Sequence, residues 1–361
     1  MGECATGGTG MNDAEMSLEQ IVDMLTLKNI KLPIEYEQCD SPVIFQLLNG
    51  SLEQRHKRKQ LLLPNFENTE SVAVFSDYGG ESKGSKYYTY SFVFADYGGL
   101  AFFRDKMEII RKQYGIDNPR KEISFKDARY GQMFRCIEDY LSLANNAING
   151  LVITVAVDKE IVSITGANNK NDLKKITEDS IEYSSGKWKP ATLEKSMRVI
   201  SILTYFVKLL VPSGKKVFWM TDQDAIMANE SKTADTSQWI SNSINMLKDA
   251  PNYKFIGYTP KPYDGEESYF LTDILSIADL SAGSVEQLLT RRKEGNETLT
   301  PIAEKVMQWS SVQGIGLNKL IFVVEKDNDT FTGKFLEPEY PEYVKKTVPV
   351  DYVYDVELTK N

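Results

Sequence analysis

Apolar positions recur along this chain with two periods. Ser71–Phe75 (SVAVF), Tyr87–Ala95 (YYTYSFVFA), Leu151–Val157 (LVITVAV), Lys216–Met220 (KVFWM) and Tyr253–Tyr258 are short runs rich in β-branched and aromatic residues. Such runs predict strands. Ser76-Asp77 and the turn Tyr78-Gly79-Gly80 separate the first two, so they read as an antiparallel hairpin. Elsewhere the spacing is helical. Gly98–Tyr114 is amphipathic. A helix from about Asp127 to Ala147 aligns Met133, Phe134, Ile137, Leu141 and Ala144, with Ile148 just past its end. Leu193, Met197, Ile200, Thr204, Val207 and Leu210 share one face of a long helix that Pro212 and Gly214 stop. Further helices are expected near Trp239–Leu247 and over Asp273–Leu289. Residues 16–60 look helical, with one stripe at Leu18, Ile21, Val22 and Leu25 and another at Ile44, Phe45 and Leu48. KEISFKD, around Glu122, alternates Ile123 and Phe125 as a short extended piece. Beyond residue 293 one short helix and strands near Leu320–Val324 and Thr330–Leu336 are expected.

Strands followed by long amphipathic helices predict an α/β fold: a mixed sheet flanked by helices. The expected divisions are a flexible start over 1–15, an N-terminal helical segment over 16–68, a main domain over 69–292 and a C-terminal α+β accessory segment over 293–361.

Composition narrows the chemistry. With 361 residues, 42% hydrophobic and 26% charged, the chain can bury a large core without staples. Its net charge of −9 excludes an obligate polycation. The single histidine, His56, excludes multi-His zinc sites and any mechanism needing two histidines. Cys4, Cys39 and Cys136 are too few and too scattered for a disulfide framework, and read as reduced thiols of a cytoplasmic protein. No apolar run approaches the ~18 residues that span a bilayer, and the first residues lack a secretory apolar region.

Four carboxylates stand out by placement. Asp77 ends the first strand, Glu122 precedes a helix, Asp222 ends a later apolar strand and Asp279 sits within a helix, in IADLSAGS. Ligand sites gather at strand ends of open α/β sheets. Hard cations such as Mg²⁺ take oxygen ligands, and two of them can clamp the attacking and leaving oxygens of phosphoryl transfer without histidine. Asp in mid-helix lowers helix propensity, and Ser281, Ala282, Gly283 and Ser284 leave room for close approach. Asp273, six residues earlier, lies about 240° round the helix and reads as a helix start signal.

The order SDYGG, KEISFKD, TVAVDK, FWMTD and ILSIADLSAG resembles the bacterial and phage domain-of-unknown-function 3800 family, over about residues 70–290. Its most specific part is Ile277-Ala278-Asp279-Leu280-Ser281-Ala282-Gly283. The resemblance implies an RNase H-like fold and an acidic metal cluster of Asp77, Glu122, Asp222 and Asp279 holding Mg²⁺ or Mn²⁺. It implies a nuclease or related phosphoryl-transfer enzyme, with nucleic acid as partner. The chain departs from the family at Tyr78, which stands where the family has Glu; Glu81 lies further on. Asp158, ending its strand in VAVDK, competes with Asp222 for the third position; the long helix and its return strand favour Asp222.

Local charge fits a polyanion. Between Arg104 and Arg135 nine Lys/Arg stand against five Asp/Glu, +4 locally in a chain of −9. Among the nearby aromatics Phe102, Phe103, Tyr114, Phe125 and Tyr130, most fall at core spacing. Arg55-His56-Lys57-Arg58-Lys59 reads as a solvated helix end, with a phosphate-facing patch as its alternative. Two other functions compete. Asp222-Gln223-Asp224 could serve a metal-dependent glycosyltransferase, and an RNase H-like domain could be a non-catalytic binding module. A protein partner could meet the N-terminal or C-terminal extension.

Overall fold

The computed structural model describes Ser17, Gln20 and residues 24–340, apart from 117, 119–120, 165–169, 181–183, 223, 261–268, 297, 315 and 328–329. The start over 1–15 and the stripe at Leu18, Ile21 and Val22 lie outside the described residues.

Seven strands form one mixed sheet: β1 (Ser71–Gly79), β2 (Tyr87–Asp96), β3 (Gly150–Asp158), β4 (Lys216–Thr221), β5 (Phe255–Pro260), β6 (Leu317–Asp327) and β7 (Thr330–Phe335). Their order is β5-β4-β1-β2-β3-β6-β7. β1, β2 and β3 pair antiparallel in succession. β4 lies parallel to β1 and β5 parallel to β4. β6 lies parallel to β3, and β7 antiparallel to β6. The expected α/β class and the opening hairpin are observed. Gly80 makes the hairpin possible: its φ is +87°, and a Cβ there would run into the Tyr87 carbonyl.

Side-chain alternation sends the strand residues to two cores. Val72, Val74, Phe92 and Phe94 face one side. They meet α1 (Val43–Lys57), α5 (Pro190–Leu210) and α6 (Glu230–Asn245) there. Ala73, Phe75, Val93 and Met220 face the other side. They meet α2 (Ala101–Tyr114), α3 (Gly131–Ala147), α7 (Tyr269–Lys293) and α8 (Pro301–Ser310). A further helix, α4, spans Lys170–Ser180. β3 is buried at every position, which explains its unbroken apolar run.

Several expectations change. Residues 27–35 are not helical; Pro33 removes a donor, and Asn49 of α1 pins this segment through Ile34 N–H (2.9 Å) and Ile34 C=O (2.9 Å). The helix expected at 239–247 starts at Glu230, where the Asn229 side chain accepts from Lys232 N–H (3.0 Å). KEISFKD is irregular and not a strand, and a 3₁₀ turn at Asp127–Arg129 precedes α3. Asp273 is no start signal: it lies inside α7, 1% exposed. The end of the basic run is solvated at Lys57, but Arg55 turns inward over the Phe335 ring (5.1 Å). Residues 317–335 extend the same sheet beyond β3. No helix among the described residues is long and apolar enough to cross a membrane.

Candidate acidic site

The parallel pairing of β1 with β4 stops at the C-terminal end of β4, while β1 continues to Gly79 beside β2. Ser76 and Thr221 are their last paired residues, and Asp222 N–H donates to Ser76 C=O (3.1 Å). The next residue on each chain is a carboxylate, Asp77 and Asp222. Alternation puts Asp77 on the same face as Ala73 and Phe75, the face that α7 covers. Across the sheet Asp77 stands opposite Ser91, and Ser91 opposite Thr154, with their hydroxyls 3.0 Å apart.

α7 brings Asp279 over this edge. Its small residues permit the approach: the Thr89 hydroxyl donates to the Ala282 carbonyl (3.0 Å), and a Cβ on Gly283 would stand 2.5 Å from the Phe125 ring. The Phe125 N–H donates to Asp279 Oδ2 at 2.6 Å, tying the segment that carries Glu122 to the helix.

Electrostatics link all four acids. Burial first, then the charges of Asp279 and Asp222 and, more weakly, Glu122, hold the Asp77 carboxyl well above the usual carboxylate range; the Tyr78 N–H opposes this (2.6 Å to Oδ1). Asp77 keeps partial solvent contact by surface area, yet protein crowds its carboxyl, and desolvation follows the crowding. Asp77 therefore feels the charge of the other three acids. They do not close to coordination distance: among the described residues no three His, Cys, Asp or Glu side chains gather tightly enough to hold a metal ion. The two facts are compatible. Coulomb repulsion acts over several ångströms, whereas coordination needs contact at 2.0–2.6 Å. In addition, Asp77 and Asp279 each have one oxygen engaged by a backbone N–H.

The competing acids have other partners. Asp158 receives Lys293 Nζ at 2.7 Å, two strands away from Asp77. Asp224 is ion-paired with Lys195 of α5, which also binds Glu81 and lies over the Tyr78 ring (4.9 Å). Gln223 lies outside the described residues. Tyr78 turns away from Asp77 and meets Ser76 Oγ (2.8 Å) and Thr221 Oγ1 (2.9 Å). Its ring is held among apolar side chains, and burial pushes its hydroxyl far above the ordinary phenol value.

One contributor went unseen in the sequence. Arg111 of α2, counted there with the basic residues, is 7% exposed and bidentate to Asp273. Its remaining nitrogen donates to the carbonyls of Ile116 (2.8 Å) and Lys121 (3.1 Å), immediately before Glu122. The Tyr140 hydroxyl donates to the Asp273 carbonyl. Arg111 and Asp273 lie 162 residues apart, and no signal in the sequence pairs them.

Compared with family models, curated proteins and solved structures, the chain matches none.

Proposed function

We propose that this chain is a divalent-metal-dependent nuclease or related phosphoryl-transfer enzyme with an RNase H-like core. One observation carries the reading. Asp77 and Asp222 directly follow the last paired residues of β1 and β4, and burial together with the charges of Asp279, Asp222 and Glu122 raises the Asp77 carboxyl. Such crowding is unfavourable unless a cation or proton offsets it. The central order β5-β4-β1-β2-β3, with three antiparallel strands followed by two parallel ones, supports the RNase H-like reading. So does the resemblance of the motif order to the domain-of-unknown-function 3800 family.

The donor set, four hard oxygen ligands, fits Mg²⁺ or Mn²⁺. Asp77, Glu122, Asp222 and Asp279 would hold the ion, which would supply Lewis-acid stabilisation of a phosphoryl oxygen. The chain's own residues position these groups. Arg111 and Asp273 fix the backbone before Glu122, and the Phe125 N–H orients Asp279.

Cleavage of single-stranded and duplex DNA and RNA in Mg²⁺ and Mn²⁺ tests the reading. Asp77→Asn and Asp279→Asn should each lower the rate by at least a hundredfold. Undiminished cleavage in both variants would remove the acids from the chemistry. The open spacing of the acids favours one second reading, a non-catalytic RNase H-like binding module. Calorimetry separates the two: the module binds no Mn²⁺ at Asp77. The glycosyltransferase alternative loses support because Lys195 already neutralises Asp224.

A further inference from the structure

Folding leaves one aromatic side chain almost wholly in water. Tyr130 is 78% exposed, the most exposed large hydrophobic residue among the described residues. It sits just before α3 with extended backbone (φ −158°) and contributes nothing to either core. Lys126 and Arg129 precede it within four residues, and Arg135 follows one turn into α3. All three are exposed, and none has an ion pair among the described residues. Among their basic neighbours Arg104 meets Asp105, Lys112 meets Glu108, Arg111 meets Asp273 and Lys121 meets Gln132, while Lys106 lies over the Phe102 ring (5.5 Å). The acid between them, Asp127, accepts from the Ser124 hydroxyl (2.9 Å). In a chain of net charge −9, three exposed cations thus flank an exposed ring along the sequence, against the single charge of Asp127.

This surface adjoins the acidic site. Lys126 directly follows Phe125, whose N–H binds Asp279. Cations that track a backbone, together with a ring on which a base can stack, are the two components of single-strand recognition. A duplex could use the cations but not the ring, because its bases are already stacked.

We infer that Lys126, Arg129, Tyr130 and Arg135 form a docking surface for single-stranded nucleic acid beside the carboxylates. The surface stands on its own observations; that it delivers substrate to the acids rests on the function proposed above.

Fluorescence anisotropy tests it with the full-length chain in EDTA, where a metal-dependent cut cannot occur. Labelled single-stranded DNA, single-stranded RNA and duplex DNA of one length are titrated at several salt concentrations. Either single strand should bind more tightly than duplex. Tyr130→Ala should weaken single-strand binding about tenfold. The double variant Lys126→Gln/Arg129→Gln should flatten the dependence of log K on log salt by about 1.4, at ~0.7 per phosphate contact. Phe102→Ala serves as a control. Phe102 is also exposed, but it lies at the opposite end of α2 from Gly115, which abuts Gln132 of α3; it should bind as wild type. Duplex binding equal to single-strand binding with Tyr130→Ala unchanged, or no oligonucleotide binding at low salt, overturns the inference. Cleavage in Mn²⁺ is read separately. Intact binding with no cleavage removes the enzymatic reading alone, and cleavage with Tyr130→Ala binding unchanged removes the docking surface alone.

Discussion

Asp77 is the residue through which pH reaches this fold. Burial and the neighbouring Asp279, Asp222 and Glu122 raise its folded pKa, while an unfolded Asp titrates near 3.9. Between those two values the folded state binds more protons than the unfolded one, so stability falls as pH rises through that window and stays lowered above it. Asp77→Asn should therefore stabilise the metal-free protein at neutral pH by on the order of 1 kcal/mol. Thermal melts in EDTA at pH 5 and pH 8 check this; a mutant less stable than wild type at pH 8 contradicts it. Lys319 has the opposite sign. It is 5% exposed, lies over the Trp309 ring (4.7 Å) and meets Asn145 Oδ1 (2.7 Å), with no ion pair among the described residues. Burial pushes its amine well below the ordinary value. Here the unfolded state binds more protons, so stability rises with pH from the folded pKa to about 10.4. Lys319→Met should flatten the alkaline side of the stability–pH curve, read by urea melts between pH 7 and pH 10. An unchanged slope would mean that the amine is charged in the fold.

At the level of elements, the Arg111–Asp273 pair joins α2 to α7 and holds the irregular segment before Glu122. Arg111→Met should cost about 3–5 kcal/mol, because it strands a buried carboxylate. Arg111→Met with Asp273→Leu should recover most of that loss. Arg111→Lys should not, since a point charge cannot serve a carboxylate and two carbonyls at once. Urea denaturation of the three variants measures each expectation; a double variant as unstable as the single one would show that the pair does more than neutralise itself. This pair also marks where the sequence stops being legible. β1–β5 and the helices α2, α3, α5 and α7 appear at nearly their observed places, because their apolar periods are what the two cores bury. α6 begins nine residues before its expected start, since its first half, ESKTADTSQ, is polar and the Asn229 cap is a local signal. Asp77, Asp222 and Asp279 are legible as acids at strand ends and in a small-residue stretch. Arg111 is not: a buried cation and an exposed one look alike until the partner helix is in place. Of the five aromatics near Glu122, most of them at core spacing, Phe103 is buried while Phe102 and Tyr130 lie on the surface, because period alone does not say which stripe finds a partner.

Across the whole molecule, the sheet decides what can be removed. β3 is buried at all nine positions and pairs with β6 from Gly150↔Leu317 to Val157↔Val324. The expected boundary at residue 293 treats everything after it as accessory, and its strands were read from local runs that carry no information about pairing partners 167 residues away (317 − 150). In the fold, β6 pairs along the edge of β3 and α8 shares a core with it: Ile302, Val306, Trp309 and Leu317 cluster with Val152. Truncation after Ser311 would keep α8 but remove β6 and β7. It would leave β3 as an edge strand with a row of unpaired N–H and C=O groups and an apolar side chain at nearly every position. A long, flat, hydrophobic edge of this kind pairs with other chains. The fragment ending at Ser311 should therefore be aggregated or lack fixed tertiary packing, even though it retains Asp77, Glu122, Asp222 and Asp279. Size-exclusion chromatography and near-ultraviolet circular dichroism measure this directly. A monodisperse fragment with a sharp thermal transition would show that β1–β5 with their helices fold without the last two strands, and that β6 and β7 only cover an edge that was already stable.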